Sequence, residues 1–249
     1  MDSLKLHPVP SNLKSIKKWN LFGNRDEFRL IQDYFSKNLI EWFKHHGRDL
    51  PWRQTRDPYK ILLSEIMLQQ TQVDRVIEYY HQFLDQIPDF ATLEEISEDT
   101  VIELWKGLGY YNRARNLQKI AKIIMNDYDG MFPSTKSEIL ALPGIGEYTT
   151  GAVMTFALNI RAPLVDTNVE RVYRRIFLQD IHIQSPSELS KIYWFLADQL
   201  LPDEKYWEFN QGIMDFGAVL CKANSPICNK CFCRKFCRYY SRRSLSRFL

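Results

Sequence analysis

The chain has 249 residues, 45% hydrophobic and 14% aromatic, with 33 Lys+Arg against 30 Asp+Glu for a formal charge of +3. That composition excludes an intrinsically disordered or collagen-like chain, because the apolar content suffices for a core while Gly (10) and Pro (11) are few. The small net charge conceals an uneven distribution: Cys221 to Leu249 holds eight Lys and Arg and no Asp or Glu, a block suited to an anionic partner or to a solvated tail.

Residues 1–27 mix Pro8, Pro10, Ser11 and Ser15 with Lys14, Lys17 and Lys18 without a sustained apolar period, which predicts a loosely ordered N-terminal extension. The start carries no charged leader followed by an apolar run, and no stretch reaches the ~20 apolar residues of a membrane span, so an intracellular protein without a membrane partner is expected. From Phe28 onward apolar residues recur at helical spacing, through Leu30, Ile31, Tyr34, Phe35, Leu39, Trp42 and Phe43. Helical patterns continue over Tyr59–Gln72, Val76–Gln86, Val101–Leu108, Arg113–Asn126, Ser137–Leu142, Tyr148–Leu158, Asn168–Phe177, Pro186–Leu201 and Phe209–Leu220. Period-two alternation is scarce, so the predicted fold class is all-α.

Four features along this chain carry chemistry. Glu65 sits in Tyr59-Lys-Ile-Leu-Leu-Ser-Glu-Ile-Met-Leu68, a helix apolar on nearly every side, where desolvation would raise a carboxyl pKa and hold its proton near neutrality. Leu142-Pro-Gly-Ile-Gly146 lies between two helical segments; its glycines permit positive φ, and the amides opening the next helix could bind phosphate or merely join two helices. Asp166 follows Ala162-Pro-Leu-Val and opens another helix, where it could be part of a cap, with Thr167-Asn-Val-Glu170 also fitting a capping box. A protonated acid beside an ionised carboxylate is the pair that glycosidic cleavage requires. Finally, Cys221-x6-Cys228-x2-Cys231-x5-Cys237 places four soft thiolates in a short loop with Cys233 left over; a tetrahedral zinc, an iron–sulfur cluster and free buried thiols all fit that spacing.

This cysteine pattern at the end of an all-helical chain resembles the four-iron, four-sulfur site of the endonuclease III superfamily of helix-hairpin-helix DNA glycosylases, in which a hairpin, a Gly/Pro-rich segment with a required Asp, and the cluster follow in the same order. The strings Leu50-Pro-Trp-Arg53, Ser64-Glu-Ile-Met-Leu-Gln-Gln-Thr-Gln-Val73, Gly107-Leu-Gly-Tyr-Tyr-Asn-Arg-Ala-Arg-Asn-Leu117, Asp166-Thr-Asn-Val-Glu-Arg-Val172 and Asn210-Gln-Gly-Ile-Met-Asp215 are similar to those of the MutY-type adenine DNA glycosylases. The resemblance implies two helical lobes with the active site in the cleft between them. Residues 58–161 would form a six-helix body with the hairpin, and residues 28–57 together with 162–249 the cluster lobe. One [4Fe-4S] cluster on Cys221, Cys228, Cys231 and Cys237 follows from it, with Cys233 a packing residue.

As to function, the resemblance implies base-excision repair by a monomer bound to double-stranded DNA with a mismatch or lesion. The enzyme would flip the mismatched base out, because the glycosidic bond is out of reach inside the stack, and hydrolyse its N-glycosidic bond. Glu65 would protonate adenine, Asp166 would stabilise or capture the sugar cation, and Tyr148 and Asn168 would support them. Gln69, Gln70 and Tyr110 would meet the space opened in the duplex, while Leu142, Gly144 and Gly146 would meet the DNA backbone. Bifunctional relatives carry a Schiff-base lysine where this chain has Tyr148, so a monofunctional glycosylase is expected. The compartment would be the cytoplasm of a bacterium or archaeon, or a eukaryotic nucleus.

The chain departs from the adenine enzymes at Thr167, where glycine is usual, and at Glu147, an acid in the hairpin. It stops after the basic tail without the C-terminal domain that reads 8-oxoguanine, which leaves that discrimination open. Arg56-Asp-Pro-Tyr59 and Met214-Asp-Phe216 also look like thymine glycosylases acting at G·T or G·U mismatches. A non-catalytic DNA-damage-binding iron–sulfur protein is the alternative of another class.

Overall fold

In the computed structural model the described residues are 25–179 and 185–245, and all regular structure among them is helical, as expected for an all-α chain. The extension expected over residues 1–27 lies outside the described residues as far as residue 24. Twelve α-helices follow in order. α1 is Arg25–His46; after a 3₁₀ turn at Pro51–Arg53 come α2 Pro58–Leu68, α3 Val73–Gln86, α4 Phe90–Glu95 and α5 Glu98–Trp105. α6 is Asn112–Asp127, α7 Lys136–Ala141 and α8 Glu147–Phe156. α9 is Thr167–Tyr173, continued by a π turn at Arg174–Leu178. α10 is Pro186–Leu200, α11 is Tyr206–Asp215 with a π turn at Phe216–Leu220, and α12 is Arg238–Leu245. No helix among the described residues is long and apolar enough to cross a membrane.

α2 is the hub. Asp57 caps it by accepting from Tyr59 N at 2.9 Å, and Pro58 supplies the fixed φ of a first helical position. Tyr59 and every residue from Ile61 to Met67 are buried, so this helix has no solvated face, which is why its sequence lacks an amphipathic stripe. It packs against α3, α6 and α8, while α4 and α5 pack on α6 and α7 on α8. Trp105, fully buried, meets Phe83 edge to face with centroids 5.8 Å apart. The short α4, capped by Asp89 accepting from Thr92 N, adds a helix to the six that periodicity predicts over this stretch.

The remaining elements gather around α1. α11 lies along it, with Gly212 facing Phe43 and Leu39, and Phe35 meets Phe177, Phe209 and Phe232 with centroids 5.9 to 6.0 Å apart. α1 is thus packed with α10 and α11 and, through Phe35, with Phe177 and Phe232, although these lie far apart in sequence. α8 and α11 are in contact across the two groups. At Gly151 a Cβ would come within 2.2 Å of the Pro163 carbonyl oxygen. The missing side chain lets the segment after α8 cross close to that helix and deliver Asp166 beside it.

Candidate active site

Glu65, on α2, is 4% exposed, and its Oε2 is buried without a hydrogen-bond partner. Burial raises its pKa to about 7; the Tyr148 hydroxyl and the Arg53 cation favour the ionised form, whereas the charge on Asp166 opposes it. The carboxyl therefore retains its proton at neutrality in a substantial fraction of molecules. Tyr148, on the second residue of α8, sits 3.3 Å through its hydroxyl from Met214 Sδ. Burial and then the Glu65 and Asp166 charges raise its pKa well above the usual value, so it is a hydrogen-bond donor at physiological pH and not an anion.

Asp166 caps α9: Oδ1 accepts from Val169 N at 2.7 Å and Oδ2 from Asn168 Nδ2 at 2.9 Å. The cap is thus Asp166 itself rather than Thr167 of the alternative capping box, because the helix starts one residue earlier than that box requires. Asn168 Oδ1 accepts in turn from Arg171 Nη2 at 2.8 Å, and Arg171 also donates to the carbonyls of Gly217 and Cys221 at 2.7 and 3.1 Å. The structure brings Glu65, Tyr148, Asp166 and Asn168 together from α2, α8 and the start of α9, and Arg171 ties this group to the cysteine loop.

Beneath them lies an ion cluster to which sequence reasoning assigned no role. Asp215 is fully buried and accepts from Arg53 Nη1 and Nη2 at 2.8 and 2.9 Å and from Arg48 N and Nε, both at 2.8 Å. Burial pushes its pKa up, but Arg53 and Arg48 outweigh that and hold it below the usual value. Arg53 Nε also donates to Gln211 Oε1 at 2.7 Å. The available signal was a lone Asp in an apolar string, Ile213-Met-Asp-Phe-Gly217, 162 residues from its partner Arg53.

Two loops flank the site. Gln70 (φ +58°) lies two residues beyond α2 and Tyr110 (φ +50°) precedes α6, both in the left-handed region. With Gln69, Tyr111, Asn112, Arg113 and Arg115 they line an open hollow of about 420 Å³. In the hairpin between α7 and α8, Gly144 takes φ +76°, and a Cβ there would come 2.4 Å from Asn116 Nδ2. Gly144 and Gly146 are exposed, but the Leu142 side chain is 4% exposed and belongs to the core, so only its backbone is available to a partner. The acid Glu147 is answered by Lys136, Nζ to Oε2 2.7 Å.

Cys221, Cys228, Cys231 and Cys237 line one cavity with Arg175 and Tyr239, and Cys233 does not: it is fully buried in the aromatic core beside it. Arg175 Nη1 lies 3.6 Å from Cys221 Sγ, and the same guanidinium holds the carbonyls of Lys222 and Ala223 at 2.6 and 2.7 Å. Among the described residues no three His, Cys, Asp or Glu side chains close around a single metal-ion position. The donor set itself, four thiols and a nearby cation around a shared cavity, fits a soft-metal or iron–sulfur group. Of the basic tail, Arg238 opens α12, the side chains of Arg242 and Arg243 are not described, and Arg247 lies outside the described residues.

Residues 63–197 match the family described as "HhH-GPD superfamily base excision DNA repair protein". The adenine DNA glycosylase of Buchnera aphidicola subsp. Baizongia pistaciae is 39% identical over 85% of this chain and 60% of its own length. The thymine/uracil-DNA glycosylase of Methanothermobacter thermautotrophicus is 36% identical over 84% of this chain and 95% of its own. Among solved structures, a thermostable thymine-DNA glycosylase superposes with a TM-score of 0.78 at 35% identity, covering 85% of this chain and 97% of that one. The chain thus spans about 60% of the length of the Buchnera adenine enzyme.

Proposed function

The chain belongs to the HhH-GPD superfamily of base excision DNA repair proteins, and from that footing we propose that it is a monofunctional DNA glycosylase that excises adenine from a mismatch in duplex DNA. One observation carries the proposal: a buried carboxyl oxygen, Glu65 Oε2, without a partner and with a pKa of about 7. An orphaned acid of that strength is costly unless a substrate atom completes it. Adenine N7 is a lone-pair acceptor that such an acid can protonate, which converts the base into a neutral leaving group. Asp166, held by Val169 N and Asn168, supplies the negative charge opposite the sugar cation left when the glycosidic bond breaks. Water then adds to that cation, and the Glu65 carboxylate accepts the proton it releases. Tyr148 donates a hydrogen bond within this group and has no amine with which to form an imine.

A second reading is favoured by the likeness to thymine glycosylases in sequence and fold: excision of thymine or uracil opposite guanine on the same catalytic frame. Single-turnover assays on duplexes containing A·G, A·8-oxoguanine, G·T and G·U decide between the two. Adenine release from the first pair, with no strand scission and no borohydride-trapped adduct, is the expected result. Release of thymine or uracil instead would install the second reading, and binding without release from any duplex would leave a damage-binding protein.

We further propose that Cys221, Cys228, Cys231 and Cys237 hold a [4Fe-4S] cluster, which when bound crosslinks the C-terminal loop through iron–thiolate bonds. Protein purified without oxygen should then contain about four irons and four acid-labile sulfides per chain. Cys228→Ala should lose them and Cys233→Ala keep them. Stoichiometric zinc in the wild type, or iron loss on replacing Cys233, would overturn the assignment.

A further inference from the structure

Arg113, the second residue of α6, is buried yet carries a full guanidinium, and the hydrogen bonds it donates go to the last turn of α2, the loop that follows it and the loop before α6. Its Nη1 donates to the carbonyls of Ile66 and Met67, at 2.9 and 2.8 Å, and to that of Gln69. Its Nη2 donates to Thr71 Oγ1 at 3.1 Å and to the carbonyls of Leu108 and Gly109 at 3.2 and 3.0 Å. Those acceptors bracket Gln70 on one side and immediately precede Tyr110 on the other. Both residues hold left-handed backbone, which side chains with a Cβ adopt only when their surroundings impose it. Tyr110 is 61% exposed, and the face of its ring meets the Arg113 guanidinium, 5.6 Å from the centroid.

From this geometry we infer that Arg113 is a positioning residue that welds the Gln70 and Tyr110 loops into one rigid wedge for opening the duplex. The inference rests on the glycosylase reading above. A wedge must resist the stacking it displaces, so strained residues at its edge need a fixed base. Arg113 is itself shielded from DNA and acts through the two loops. A lysine retains the charge, but a single ammonium cannot span acceptors on both loops.

The test follows fluorescence of 2-aminopurine placed beside the target base, together with single-turnover base release on two substrates. One is a fully stacked mismatch duplex; the other carries the same mismatch next to a tetrahydrofuran site that weakens its stacking. Arg113→Lys is expected to abolish the fluorescence rise and slow release about 30-fold on the stacked duplex but only about 3-fold on the weakened one. Equal loss on both substrates, or none on either, would overturn the inference. Should Arg113→Lys not fold, Gln70→Ala, Tyr110→Ala and the double variant decide: both side chains are exposed, and a single wedge predicts that the double variant is little worse than either alone. Independent, multiplicative effects would refute it. A wild-type protein that gives the fluorescence rise but releases no base would sink the glycosylase reading and leave the wedge intact.

Discussion

Glu65→Gln is expected to lower single-turnover base release by about 10⁴-fold, the upper range for removing a general acid. Gln keeps the shape and the donor–acceptor capacity of a protonated carboxyl but has no proton to give. The same group sets the pH dependence. In the proposed reaction the acid form is the active one, and burial raises its pKa to about 7, so the wild-type rate should be level below pH 7 and fall as pH rises above it. Stability follows with a defined sign. The folded state binds the Glu65 proton more tightly than the unfolded chain, whose value is near 4.5. Stability is therefore full below pH 4.5, declines between 4.5 and 7, and stays lowered above, by about 3 kcal/mol. Glu65→Gln escapes that penalty, so it should resist urea better than the wild type at pH 8, with the gap closing toward pH 5. Near-normal base release by this variant, or a rate that runs flat through pH 7, would remove Glu65 from the role of acid.

Asp166→Asn is expected to cost about 10³-fold in base release, since the proposed reaction would lose the Asp166 charge opposite the developing sugar cation. The choice of Asn separates the cap from the proposed electrostatic role. Asn caps helices about as well as Asp, so the bond from Val169 N survives and α9 should remain folded. Circular dichroism and Tm should thus be close to wild type while release is lost. Retention of the rate within a few-fold would mean that Asp166 is only a cap.

The parts of this molecule that were legible in its sequence are those written in local patterns. Helical periodicity located the long elements. A lone acid in an apolar helix singled out Glu65, and cysteine spacing set four thiols apart from a fifth, which the structure indeed leaves off the cavity. Interactions between distant segments left no such trace. Arg113 bonds to carbonyls up to 47 residues away, which have no side-chain signature. The Arg53–Asp215 pair joins opposite ends of the chain, and α4, six residues long, is too short for a period to register. Tyr59–Gln72 reads as one helix because Gln69 and Gln70 are ordinary helix formers; the structure ends it at Leu68, where Gln69 turns to extended backbone and Gln70 to the left-handed region.

The π turns at Arg174–Leu178 and Phe216–Leu220 constrain how this chain can vary over generations. Each spreads its hydrogen bonds over one more residue than an α turn does. Deleting a residue from Tyr206–Asp215, the α-helical part ahead of the second π turn, would swing everything beyond it by about 100° around the helix axis. The Cys221 carbonyl, which meets both Arg171 and Arg175, would leave both partners at once. In the connection between Lys222 and Ile227, by contrast, a loop can absorb a change of length without rotating a helix. Natural variation in length should accumulate in that connection and spare the helix before it, so the phase of α11 is inherited as a unit with the arginines that read its end.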